Sequence, residues 1–182
     1  METKKIAIIA VIVIVIAAII CIFAAGLFNG NIDGGTFEFA PVEDYALSEA
    51  IDDGVALDSN STLEGRITVK EIDKNKYDKL KSESPASQYS TITVNGKDID
   101  EPYEAIKTVN ESNLYIISEK MSEDKVPSTM ISMNLSTTQV TTGLFEKDGS
   151  YYMVQIFHKL DENAIDGDIQ IIKDIFNSLK KK

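Results

Sequence analysis

"STTQVTTGLFEKDGSYYMVQIFHKL", residues Ser136 to Leu160, reads as two β-strands joined by the tight turn in EKDGS. In the second strand Tyr152, Val154 and Ile156 fall on one face and Tyr151, Met153 and Phe157 on the other. A strand that is apolar on both faces needs cover on both sides, so it is expected at the centre of its sheet. The next stretch, "DENAIDGDIQIIKDIFNSLKKK" (Asp161 to Lys182), changes period. Ile165, Ile169, Ile172, Phe176 and Leu179 step by fours and threes and make one apolar stripe. That spacing predicts an amphipathic helix lying across the sheet. Asn163 or Asp166 is placed to cap its start, and Lys180 to Lys182 suit the negative end of its dipole. A partner helix could also meet the stripe, but packing on the chain's own sheet is the simpler outcome.

Working back toward the N-terminus, "RITVKEI" (Arg66 to Ile72) alternates as a strand, and "DKNKYDKLK" reads as a short helix capped by Asp73. "YSTITVNGKDI" is strand-like, with Asn95-Gly96 as a tight hairpin turn. "DEPYEAIKTV" carries a helix-start signal in Asp100 and Pro102, and "NLYIIS" is a compact strand. Phe37 and Phe39 alternate briefly before an acidic stretch. That stretch, within residues 36–64, is expected to be a solvated surface and partly mobile. Residues 29–35, "NGNIDGG", have a linker composition.

Before that linker, Ile6 to Phe28 contain no charged residue. As a helix this run is roughly 34 Å long, enough for a hydrocarbon core of about 30 Å, and it satisfies its own backbone there. Lys4 and Lys5 precede it, whereas the first cation after it is Arg66, beyond a series of acids from Asp33 to Glu64. The asymmetry places residues 1–5 in the cytoplasm and residues 36–182 outside, on a single-pass signal anchor in the cell membrane. Ala24-Ala25-Gly26 resembles a cleavage site, but the run exceeds the usual signal-peptide core of about 7–15 residues. A lipoprotein reading at Cys21 is weaker, because bulky Ile20 precedes it. METKK is too short to be a signalling domain, so a subunit of a larger assembly fits better than a receptor acting alone.

The formal net charge is −11, and residues 29–182 alone carry −12. Such a domain is repelled by phosphate backbones, which argues against nucleic-acid partners. The single cysteine, Cys21, lies in the apolar run, leaving the domain without a disulfide or a thiolate metal site. Its only histidine is His158, so imidazole chemistry would have to run through it. No G-x-S-x-G, S-x-x-K or H-E-x-x-H motif is present, and His158 reads as a strand-end residue. An exported hydrolase pairing His158 with Ser and Asp partners is the alternative. "DKNKYD", "DENAIDGD" and "DSNSTLE" approach calcium loops, but each lacks the required ligand at the fifth position or glycine at the sixth. No catalytic, cofactor or metal residue is therefore assigned. Sequons at Asn60, Asn110 and Asn134 permit glycosylation in a host with the machinery.

The segment "GLFEKDGSYYMVQIFHKLDENAIDGDIQIIKDIFNSLK", a hairpin followed by a helix, resembles the end of PsbP/Mog1-like domains. There the helix closes on a Ser-aromatic-Lys sequence, and Ser178-Leu179-Lys180 stands here with Leu for the aromatic. The resemblance implies an α/β sandwich whose antiparallel sheet is flanked by helices, in proteins that are mostly accessory or binding factors. The overall layout also resembles single-span exported proteins of archaea and Gram-positive bacteria. The fold class expected is α+β. The function expected is a membrane-anchored binding or accessory domain with a protein or envelope partner. A further alternative is cation-dependent adhesion through Asp33 to Glu64.

Overall fold

The computed structural model describes residues 30–60, 65–83, 91–94, 97–100, 103–121, 139–158 and 161–182. The apolar run 6–28, Lys4, Lys5, Cys21 and Asn134 lie outside the described residues. Among those described, no helix is long and apolar enough to cross a membrane. The chain divides between Asn31 and Ile32, and the folded unit is Ile32–Lys182.

Its strands are β1 (Ile32–Asp33), β2 (Phe37–Phe39), β3 (Tyr45–Ile51), β4 (Gly54–Ser59), β5 (Arg66–Ile72), β6 (Thr91–Val94), β7 (Lys97–Asp100), β8 (Tyr103–Glu111), β9 (Leu114–Met121), β10 (Gln139–Lys147), β11 (Ser150–His158) and β12 (Lys180–Lys181). The helices are α1 (Lys74–Ser82) and α2 (Ile165–Ser178). Seven strands form one sheet in the order β3-β4-β5-β11-β10-β9-β8, and every pairing in it is antiparallel. β11 is the middle strand, as its two apolar faces require. β10 turns into it through Asp148 and Gly149, both with positive φ (52° and 75°), the combination a two-residue hairpin of type I′ needs.

α2 lies over one face of the sheet. Ile172 and Ile175 are fully buried, each contributing about 1.5–3 kcal/mol, and pack in one core with Val69, Phe145, Tyr152, Val154 and Ile156. The helix crosses β10 at Gly143, where any Cβ would run into the Ile172 side chain. Phe37 and Phe39 complete this core from a small sheet of order β1-β2-β12. On the opposite face α1 sets Tyr77 and Leu80 on Ile72, Leu144 and Met153. The expected antiparallel sheet flanked by helices is thus present.

Several expectations are corrected. From Tyr103 onward "DEPYEAIKTV" is strand β8: Ile106, Thr108 and Val109 are β-branched, and Ser112-Asn113 turn it directly onto β9 with Glu111 opposite Leu114. Asp100, read as a helix cap, ends β7. The acidic segment holds two paired strands, β3 and β4, because Val55 and Leu57 point into the core while the acids sit at the edge and turn. The linker reading gives way at Ile32-Asp33, which pair with Phe39 and Glu38. At α2, neither Asn163 nor Asp166 caps the start. Asp161 instead accepts from the Asn163 amide at 3.0 Å and caps a 3-10 turn, Glu162–Ala164, that runs into the helix. At the other end Lys180 and Lys181 have left the helix for β12. Lys147 serves there, its Nζ donating to the carbonyls of Phe176 (2.5 Å) and Asn177 (3.1 Å).

Candidate binding cleft

At one end of the sheet three connections leave a cleft of about 820 Å³. It lies between the β1–β2 turn, the β3–β4 hairpin and the junction of β5 with α1. Each is a turn for a local reason. Asp33 Oδ1 accepts from the Gly35 amide at 2.8 Å, and Gly35 has φ +90°, a conformation that costs glycine little. Asp52-Asp53 link Ile51 to Gly54, with Asp53 at φ +58°, where Asp is among the residues that tolerate left-handed backbone. The Asp73 carboxylate accepts from the Lys76 amide at 2.9 Å and caps α1.

The lining is charged: Asp33, Asp52, Asp53, Glu71 and Asp73 with Lys70 and Lys76. Some of these charges are already engaged. Asp33 pairs with Lys182 Nζ at 2.5 Å, and its carboxyl is held below its usual range by that lysine and by the Gly35 amide. Glu71 accepts from the Thr36 hydroxyl. That bond, with help from Ser150 and the Lys181 charge, lowers its pKa against the opposing effect of burial. Lys181 Nζ in turn donates to Ser150 Oγ at 2.8 Å. Asp52, Asp53, Lys70 and Lys76 carry the charge left to meet a ligand. Such a surface can orient a charged group.

Central strand β11 runs away from this cleft. Tyr151 faces Ile72 at the cleft end, and Phe157 faces Arg66 at the far end. His158 closes the strand there, opposite Gln139. Near that far end a buried polar chain joins sheet to helix. Thr141 Oγ1 donates to Asp168 Oδ2 at 2.7 Å. With its proton so used, Thr141 accepts from Ser118 Oγ at 3.0 Å. Asp168 is 2 % exposed and sits in the first turn of α2, where the helix dipole favours a carboxylate.

Among the described residues the acids from Asp33 to Asp58 do not converge. Glu49 and Asp58 both meet Arg66, and Asp58 also accepts from Ser48 Oγ at 2.5 Å. No three His, Cys, Asp or Glu side chains gather around a point among the described residues. Asn60 and Asn110 are exposed. The cleft itself was missed in the sequence. Its signal was Asp53-Gly54 between the alternations of Tyr45-Leu47 and Val55-Leu57, a hairpin pattern submerged in acidic residues.

No family model matches the chain, and no curated protein matches it in sequence. Solved structures do match. A point mutant of the protein Mog1 aligns with a TM-score of 0.54 and 10 % identity, over 84 % of this chain and 94 % of its own. The Saccharomyces cerevisiae Ran-binding protein Mog1p aligns with a TM-score of 0.54 and 9 % identity, over 84 % and 93 %. Cyanobacterial PsbP (CyanoP) from Synechocystis aligns with a TM-score of 0.42 and 12 % identity, over 81 % and 87 %. The domain therefore shares the Mog1 fold across most of its length, which extends the resemblance noted in the C-terminal third.

Proposed function

We propose that the chain is a membrane-anchored, extracytoplasmic binding or accessory domain that engages a protein or envelope partner. The observation that carries this reading is the uncharged apolar run Ile6–Phe28, of span length and bordered by Lys4 and Lys5, ahead of an acidic folded domain. The open charged cleft supports binding. So does the fold it shares with a protein named for binding Ran, itself a protein partner. Catalysis through His158 draws no support from the cleft, which forms at the other end of β11. Asn60, Asn110 and Asn134 are candidate glycan acceptors on the outward side.

Full-length protein expressed in cells tests the reading. It is expected to stay in membranes through an alkaline carbonate wash and to be digested by protease added from outside. A mature chain beginning near Leu27 and free in the medium reverses the anchor. Digestion only after the cells are opened reverses the orientation.

A further inference from the structure

We propose that the outer edge of β3 is a docking site for an extended, basic segment of a partner protein, which adds a strand to the seven-stranded sheet. The inference rests on reading the domain as a binding module and names the chemistry of its partner. β3 ends the sheet, and no strand pairs with its outer side among the described residues. Ala46 to Ala50 are all exposed, so no described residue covers the edge. In an antiparallel pair alternate residues direct their N–H and C=O groups away from the neighbour, so this edge offers a row of donors and acceptors. Leu47, 56 % exposed, is the large hydrophobic residue that the described surface leaves out, and it lies in the middle of that row.

Charge selects the occupant. Glu43 and Asp44 precede the strand, and Asp52 and Asp53 follow it. No lysine or arginine occurs between residues 30 and 65. Arg66 reaches Glu49 and Asp58 but none of these four. Pairing β3 with β3 of a second copy would bring both sets of carboxylates together, which disfavours self-association. A strand alternating apolar and basic side chains meets Leu47 with the first kind and the flanking acids with the second. Ala50 to Asp53 also line the cleft, so the end of such a strand delivers a cation to it. The register shift between Leu47 and Glu49 interrupts the regular edge. Backbone pairing is then short, and affinity leans on charge.

The test uses the full-length chain in detergent and a synthetic nine-residue peptide alternating valine and lysine, with a valine–glutamate peptide as control. The lysine peptide is expected to slow hydrogen exchange of the amides from Ala46 to Ile51, and its affinity is expected to fall roughly tenfold or more as salt screens the contacts. Leu47→Lys, at an exposed position, is expected to abolish binding with the circular dichroism unchanged. The double variant Asp52→Asn, Asp53→Asn keeps a side chain that tolerates the turn. It is expected to weaken binding ~3–5-fold per carboxylate, as exposed ion pairs do. Equal binding of the glutamate peptide, protection elsewhere, or no protection overturns the proposal. So does concentration-dependent protection of β3 without peptide, which makes a second copy the occupant. A partner crosslinked in membranes at a surface other than β3 also overturns it, while leaving the binding reading standing.

Discussion

Glu71 shows how one side chain in the cleft is tuned. The Thr36 hydroxyl, Ser150 and the Lys181 charge favour its ionised form over the cost of partial burial, so its pKa in the folded chain lies below the ordinary value of 4.5. A lowered carboxylate pKa contributes stability that is fully present above the unfolded value and is lost as pH falls through the folded one. Glu71→Gln is therefore expected to lower stability at neutral pH, by no more than about 1 kcal/mol at so exposed a site. The difference should close as urea titrations move below pH 4.5. A difference that grows on acidification contradicts the assignment. Nothing in the sequence marked Glu71, since its partners come from Thr36, Ser150 and Lys181, far apart along the chain. Asp73, by contrast, was legible, because a helix cap is written within four residues.

At the scale of elements the crossing of α2 over β10 is a close contact. Ile172 occupies the volume that a side chain at Gly143 would need. Gly143→Val is expected to cost about 1–3 kcal/mol through overpacking, measured as a lower urea midpoint at unchanged slope. A neutral result would mean that the helix can ride up without loss. The period changes that define β10, β11 and α2 could be read directly, as could the short α1. β8 could not. Asp100 and Pro102 imitate a helix start, and "YEAIKTV" takes either period over so short a span. Its pairing with β9 decides the matter, and pairing is a property of two segments. β3 and β4 were hidden differently, because acidity at an edge strand looks the same as acidity in a loop.

For the whole molecule, the acidic surplus is distributed. Pairs with Lys182 and Arg66 take up Asp33, Glu49 and Asp58. Other acids pair with Lys74, Lys107, Lys120 and Lys173, and no three gather around one point among the described residues. Millimolar Ca²⁺ is therefore expected to leave the melting temperature of the full-length protein unchanged. A rise on adding Ca²⁺, reversed by chelation, would support the cation-dependent adhesion reading. The location of the cleft could not be foreseen at this scale, since it joins three turns that whole strands separate in the sequence.

The strand order has a kinetic consequence as well. β3, β4 and β5 form one meander and β8, β9, β10 and β11 another, each built from neighbours in sequence. The two meet only where β5 lies against β11, with Val69 opposite Val154. Local hairpins close quickly, whereas a junction between distant segments must first overcome the entropy of a long loop. Assembly of this domain is therefore expected to be limited by the joining of two half-sheets along one seam. The newly formed core at that seam is then sealed by α2 and by the last pairing, of β12 with β2.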